Sequence, residues 1–173
     1  MKKFIYLWCV IALVAFIGCK DDDDNSVEQP KREFALTNFN NSGCKSSAES
    51  RSAGENEYFE LKGSQAGNLL VKHINAVFNC GSRKFEVEAS LEGNSITVKE
   101  LDVLKKELME DCVCPYDFDY EIGPLENGVT YSMTVISTYD FGVVDPRLTP
   151  ARQETTFSFV YSPTLSKKIE VTP

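Results

Sequence analysis

Hydrophobic and polar residues alternate with a period of two along several short stretches of the chain, which predicts β-strands. The clearest stretch is 112–122, where the even-numbered positions form an apolar and aromatic face and three of the odd-numbered positions are acidic. Pro115 cannot donate a hydrogen bond to a strand ladder, so we expect the first part of this strand at a sheet edge or a bulge. The pattern predicts a half-buried strand whose aromatic face meets the core.

The same alternation predicts further strands on both sides of this one. In the stretch 69–80 we expect Leu70, Ile74 and the even-numbered positions after them to face the core, with His73 and Asn75 on the opposite, polar face. The predicted strands are 57–62, 69–80, 84–91, 95–100, 112–122, the region around 131–135, 155–161 and 167–171.

A two-residue Gly-Asn loop at 93–94 predicts the clearest hairpin. A loop of this length pairs Leu91 with Ile96 and Ala89 with Val98 on one face. The following residues, 101–109, fit either a short amphipathic helix or an edge excursion between two sheets.

The N-terminus has the pattern of a secretory signal. Two lysines precede an unbroken apolar run at 4–17, which is too short to cross a bilayer as a helix, and Gly18 with Cys19 ends the run. This arrangement resembles the bacterial lipobox, although Phe16 and Ile17 depart from its usual residues. The resemblance implies that Cys19 becomes the mature N-terminus and is linked to diacylglycerol, which anchors the chain in a membrane.

An acidic tract follows Cys19 directly. It consists of one lysine and four aspartates: Lys20, Asp21, Asp22, Asp23 and Asp24. A block of like charges stays extended, so the tract can serve as a simple tether. Its position also resembles the export signal of the small surface lipoproteins of Bacteroidota, which implies an outer-membrane location with exposure at the cell surface.

These segments predict one domain behind a tether. We assign 1–18 to the signal peptide, 19–33 to a flexible acidic and polar tether, and 34–173 to a single domain that becomes ordered near Phe34. About eight short strands, separated by turns and without a long helix, are typical of an all-β, antiparallel sandwich.

Leu125, Gly128 and Tyr131 stand at intervals of three just before a predicted strand. This spacing resembles the tyrosine corner of immunoglobulin-like and fibronectin-type sandwiches, in which the Tyr hydroxyl bonds to backbone a few residues upstream. The resemblance implies an immunoglobulin-like β-sandwich, whereas an ordinary hairpin with an apolar Tyr is the alternative.

The charge of the exported part argues against nucleic acid as a partner. Without residues 1–18 the chain carries 16 basic and 26 acidic side chains, a net charge of −10, which repels phosphates. Membrane attachment must then come from the lipid on Cys19.

Four cysteines remain after Cys19: Cys44, Cys80, Cys112 and Cys114. In an exported protein they are expected to form two disulfides rather than a zinc site. A Cys112 to Cys114 bridge is disfavoured, because strand residues two apart have Cα atoms nearly 7 Å apart and parallel side chains. Of the other two pairings we favour Cys80 with Cys114 and Cys44 with Cys112, while the exchanged pairing stays open because the sequence does not determine strand order.

No residue pattern points to a reaction. The single histidine, His73, is expected at the surface without a nucleophile partner, and no phosphate loop or nucleophile elbow is present. Asp117, Asp119 and Glu121 share a strand face but lack the glycine turn of a calcium loop, so we expect a solvated acidic face. No metal and no cofactor are predicted.

The sequence therefore predicts a surface-anchored lipoprotein that acts as a non-catalytic binding or structural accessory module for an unknown protein or glycan. Glycan binding is the alternative, with Tyr139 and Phe141 in the long loop as candidate stacking residues, since the only Trp leaves with the signal peptide. An enzyme is the third hypothesis.

Overall fold

A computed structural model describes residues 32–45, 56–103, 110, 112–139 and 153–171. All of them belong to one compact unit, Arg32–Pro173. The regular elements of the described residues are nine β-strands: β1 (Ala35–Asn41), β2 (Tyr58–Gly63), β3 (Leu69–Asn79), β4 (Phe85–Glu92), β5 (Ser95–Asp102), β6 (Val113–Gly123), β7 (Thr130–Tyr139), β8 (Gln153–Val160) and β9 (Ser166–Glu170).

The strands form two sheets that pack face to face. The first has the order β1-β6-β3-β2-β9 and the second the order β4-β5-β7-β8. The predicted all-β sandwich is confirmed, whereas the immunoglobulin-like classification stays a prediction. One pair departs from the antiparallel expectation: β5 and β7 run parallel, because the chain crosses to the first sheet as β6 before it returns.

Aromatic side chains from both sheets fill one part of the core. Phe85 of the second sheet lies 5.1 Å from Phe78, 4.9 Å from Tyr116 and 4.9 Å from Phe118, measured between ring centroids. In β6 the even-numbered residues from Cys114 to Ile122 are all buried, as the alternation predicts, whereas Cys112 precedes the strand and is exposed, so its predicted inward position is wrong. The order of burial along this strand therefore follows directly from its sequence.

The β4–β5 hairpin also agrees with its prediction. Leu91 is opposite Ile96 and Ala89 is opposite Val98 across a two-residue turn. Gly93 in that turn has φ 58°, a left-handed conformation that glycine adopts without steric cost. The residues of the turn and of the two adjoining strands are therefore sufficient to determine this hairpin.

The predicted face of β3 is wrong in its first half. The ladder between β3 and β6 shifts register between His73 and Ala76, and Asn75 adopts φ 62° at this bulge. Before the bulge the odd-numbered residues are buried and Leu70 is exposed, whereas after it the even-numbered residues are buried. One inserted residue thus reverses the face that the first half presents to the core. Of the segment 101–109, Leu101 and Asp102 end β5, and residues 104–109 lie outside the described ones.

Candidate functional site

A cluster of charged and polar side chains lies between the two sheets. His73 of β3 and Glu100 of β5 are 1% and 0% exposed, and His73 Nδ1 lies 2.8 Å from Glu100 Oε2. The other ring nitrogen, Nε2, lies 2.7 Å from Oε1 of Glu57, which precedes β2. The imidazole is therefore held between two carboxylates, one from β5 of the second sheet and one from the residue before β2 of the first.

Three more side chains complete the cluster. The Ser137 hydroxyl donates to Glu100 Oε2 at 2.8 Å, and the Tyr120 hydroxyl donates to Glu100 Oε1 at 3.3 Å. Gln153 Nε2 donates to Glu57 Oε2 at 2.9 Å. Both Glu100 oxygens and both Glu57 oxygens thus have protein donors.

The surroundings determine the charge of the His73 ring. Burial lowers the pKa, but the charge and hydrogen bond of Glu100, followed by those of Glu57, outweigh it and raise the pKa of His73 to about 9. The ring of Phe59 stacks on the imidazole with 4.0 Å between centroids, which also favours a cationic ring. His73 is therefore an imidazolium at neutral pH and donates from both nitrogens. Burial, together with Glu100, raises the pKa of Tyr120 well above its usual value, so that its hydroxyl remains a donor.

The predicted surface position of His73 is wrong, and the bulge at Asn75 is the physical reason. Before the bulge, His73 shares the inward face with Leu69 and Val71. Sequence reasoning also missed Glu57 and Glu100. The signal for Glu100 is that it continues the inward alternation of Ile96 and Val98, which places an acidic residue at a core position.

The geometry of the cluster does not match nucleophilic catalysis. A serine nucleophile needs a histidine nitrogen within hydrogen-bond reach to accept its proton. Here the hydroxyl of Ser137 is directed to Glu100, and both nitrogens of His73 face carboxylates. The cluster can bind its sheets together, but it offers no free base.

A second buried polar group lies where β5 ends. Asp102 of β5 accepts a hydrogen bond from the Ser82 hydroxyl, and the Tyr116 hydroxyl donates to the Asn79 carbonyl at 2.9 Å. The Asn79 side chain in turn makes two hydrogen bonds with the backbone of Glu110. Its Nδ2 donates to the Glu110 carbonyl at 2.7 Å, and its Oδ1 accepts from the Glu110 N–H at 3.0 Å. These contacts organise the loops next to the disulfides.

The two predicted disulfides are confirmed, but the favoured pairing is wrong. Cys80 is bonded to Cys112 and Cys44 to Cys114, with Cα separations of 5.6 and 5.8 Å. The register places Phe78 opposite Cys114, so Cys80 lies opposite Cys112, and its N–H donates to the Cys112 carbonyl at 3.2 Å. Strand pairing between β3 and β6 therefore decides the first bridge.

The second bridge follows from the other side of β6. The N–H of Lys45 donates to the carbonyl of Pro115 at 3.0 Å, which brings the neighbouring Cys44 next to Cys114. β1 pairs with β6 only from Phe118 onward, so Pro115 lies beyond the regular ladder on this side, as its missing N–H predicts.

Of the corner residues, Tyr131 makes the backbone contact that the resemblance predicts. The Tyr131 hydroxyl accepts a hydrogen bond from the Glu126 N–H at 3.0 Å, and Leu125 is buried. Gly128 has φ 82° and its N–H donates to the carbonyl of Tyr161 at 2.9 Å. Gly128 thus connects the β6–β7 turn to the residue after β8, while the Tyr131 bond holds the turn itself.

The acidic face of β6 is paired with protein groups. Asp117 forms an ion pair with Lys45, and Asp119 forms one with Lys72 at 3.2 Å. Glu121 accepts hydrogen bonds from the Asn38 and Asn68 side chains at 3.1 and 3.2 Å. Within the described ranges no group of three or more His, Cys, Asp or Glu side chains has the arrangement of a metal site.

Several predicted site residues are outside the structural description. Cys19 and the tract from Lys20 to Asp24 precede the described residues, and Phe141 lies in the gap between β7 and β8. Tyr139 is the last residue of β7 and is opposite Asp102 in the parallel register. In the part of the chain that the structure describes, no helix has the length and apolar character needed to cross a bilayer.

Comparison with known proteins adds no assignment. Neither a protein-family model nor a curated protein nor a solved structure matches this chain.

Proposed function

We propose that this protein is a lipid-anchored surface lipoprotein that serves as a non-catalytic binding or structural accessory module. The main support for a non-catalytic role is the His73 cluster, in which carboxylates occupy both nitrogens of the imidazole. The chain has a single histidine, and carboxylate oxygens at 2.7 and 2.8 Å engage both of its nitrogens in the core. Catalysis by this histidine would require breaking a buried ion pair, which costs several kcal/mol.

The disulfides support an exported location. Disulfides persist in oxidising compartments and are rare in the cytosol, and here two of them secure one end of β6 to β3 and to the segment after β1. This agrees with the secretory pattern of the N-terminus.

The anchor is tested first. Metabolic labelling with a fatty acid should mark the wild-type protein and should be lost in Cys19→Ala, which also leaves the membrane fraction. Cys9→Ala is the matched control, because Cys9 lies within the apolar run and should not carry lipid. A mature wild-type N-terminus other than lipidated Cys19 would refute the anchor.

Surface exposure is tested separately. Replacing Lys20 and Asp21 to Asp24 with alanine should reduce cleavage by protease added to intact cells, while the amount of membrane-bound protein stays constant. Unchanged cleavage would leave the tract as a tether only.

The kind of partner is tested with the soluble chain from residue 32 to 173. Recovery of a specific protein partner in a pull-down, without signal on a glycan array, supports the accessory role. Glycan binding that is lost in Tyr139→Ala or Phe141→Ala would instead assign the protein to the glycan-binding alternative.

A further inference from the structure

The strands at the four sheet edges differ in how well their own sequences prevent pairing with another chain. Natural sheets protect edges with charges, bulges or short strands. β4 carries Glu86, Glu88 and Glu92, β1 is interrupted by a register shift between Thr37 and Asn40, and β9 has only five residues, two of them lysines. β8, in contrast, continues as an uncharged stretch without Gly or Pro at 155–161.

Composition and exposure make the β8 edge suited to strand addition. The stretch 155–161 consists of Thr, Phe, Ser, Val and Tyr, a combination of high β propensity and no charge that favours strand stacking. Val160 is 54% exposed. Of the strands that the structure describes, β8 has only β7 as a ladder partner.

Hydrogen bonds at the end of β8 show which backbone groups face outward. The N–H of Tyr161 donates to the carbonyl of Val129, and the carbonyl of Tyr161 accepts from the N–H of Gly128, both at 2.9 Å. Backbone groups alternate in direction along an antiparallel strand, so the odd-numbered residues of β8 bond to β7. The even-numbered residues, which include Thr156 and Ser158, direct their N–H and C=O groups away from the sheet.

One side chain from the other sheet occupies this edge. Lys167 Nζ, at the start of β9, donates to the outward carbonyl of Ser158 at 2.9 Å. The next residue, Lys168, makes different contacts, an ion pair with Glu170 at 2.7 Å and a cation–π contact with Tyr58 at 3.8 Å. Lys167 therefore covers β8 at the point where an added strand would bond.

We propose that the outward edge of β8 is a strand-pairing surface for a second copy of this chain, and that Lys167 keeps it closed in the single molecule. Antiparallel self-pairing centred on Phe157 places Thr156 opposite Ser158 and Glu154 opposite Val160, so no like charges oppose each other. Two β4 edges would instead bring glutamates together, which is unfavourable. The paired state is a closed dimer with one eight-stranded sheet, because each copy uses its single β8 edge.

This inference goes beyond the proposed function and does not depend on the lipid. Tethering copies on one membrane would raise their effective concentration and favour the same pairing.

The experiment compares the dimerisation of chain 20–173 by analytical ultracentrifugation in wild type and three variants. Pairing must break one solvent-exposed contact of Lys167 in each copy, at about 2.5-fold in affinity per contact, so Lys167→Ala should lower the dimer Kd about sixfold. Lys168→Ala removes the same charge without touching β8 and should match wild type. Adding Thr156→Pro to Lys167→Ala removes an outward N–H and should restore the monomer.

Hydrogen exchange gives a second readout that does not depend on the proline variant. The outward amides of Thr156 and Ser158 in Lys167→Ala should gain protection as protein concentration rises. A folded Lys167→Ala with the wild-type Kd and unprotected amides would overturn the proposal. So would assembly beyond a dimer, a dimer that survives Thr156→Pro, or an edge that binds unrelated extended peptides while the chain stays monomeric.

Discussion

Raising the pH should remove a defined part of the folding free energy by deprotonating His73. In the folded protein the pKa of His73 is about 9, because Glu100 and Glu57 outweigh the effect of burial, against 6.5 in the unfolded chain. A raised pKa in the folded state means that the stabilisation is complete below pH 6.5 and is lost as pH rises through about 9. The difference corresponds to roughly 3 kcal/mol, since each pKa unit is 1.36 kcal/mol.

Two measurements check this prediction. Because the untagged chain has one histidine, an NMR titration of its ring carbon and proton signals reports His73 alone. Denaturant unfolding between pH 6 and pH 10 then gives the free energy of unfolding at each point. We expect an NMR midpoint near pH 9 and a matching decrease in unfolding free energy over the same interval.

Glu57→Gln is the matched variant. It removes the carboxylate of Glu57, whose side chain is 14% exposed, and keeps a hydrogen-bonding group next to Nε2. The midpoint of His73 should move down and the pH-dependent loss should become smaller, while Glu100 still holds the ring. A folded wild-type midpoint at or below 6.5, or an unfolding free energy that does not fall above neutral pH, would refute the assignment of an imidazolium between two carboxylates.

Three further predictions concern stability and covalent structure. Tyr131→Phe removes the hydrogen bond from Glu126 and should lower the free energy of unfolding by about 1 kcal/mol, whereas Tyr131→Ala also leaves a cavity and should lower it by about 3 kcal/mol or more. An unchanged free energy of unfolding for Tyr131→Phe in denaturant melts would show that this hydrogen bond does not stabilise the corner. Non-reducing peptide mapping should recover Cys80 with Cys112 and Cys44 with Cys114, and removing either bridge should lower the free energy of unfolding by about 2 to 4 kcal/mol. A peptide that joins Cys80 to Cys114 would contradict the register of β3 and β6. Gly63→Ala places a Cβ against the carbonyl oxygen of Ser162, so it should lower the free energy of unfolding by about 2 kcal/mol or more and lower the melting temperature. An unchanged melting temperature would show that the β8–β9 turn can move away from the added Cβ.

Much of the fold can be predicted from the sequence because it depends on neighbours along the chain. Alternation of side chains predicts a strand with an aromatic inward face at 112–122, which the structure has at Val113–Gly123, and a two-residue turn sets the pairing of Leu91 with Ile96. The corner spacing likewise predicts a contact within the same turn, between Tyr131 and the backbone of Glu126. In each case the partners are separated by only a few residues, so local geometry is sufficient.

Features that join distant segments were decided only by the tertiary structure. The order of strands around β6 determines that Cys80 meets Cys112 and that Cys44 meets Cys114, because both sides of one strand are used. A sequence contains no direct record of which strands become neighbours, so it could not exclude either pairing, and the pairing that we favoured from it is wrong.

The candidate site shows the same division most clearly. Continuous alternation along 69–80 assigns His73 to the solvent, but the bulge at Asn75 shifts the register by one residue and turns the imidazole into the core. There it meets Glu100 from the opposite sheet and Glu57, the residue before β2. The sequence by itself determined which stretches become strands and where their local turns lie. The bulge, the facing sheet and the resulting charge of His73 came from tertiary structure, because a one-residue shift has no local cost that periodicity can reveal.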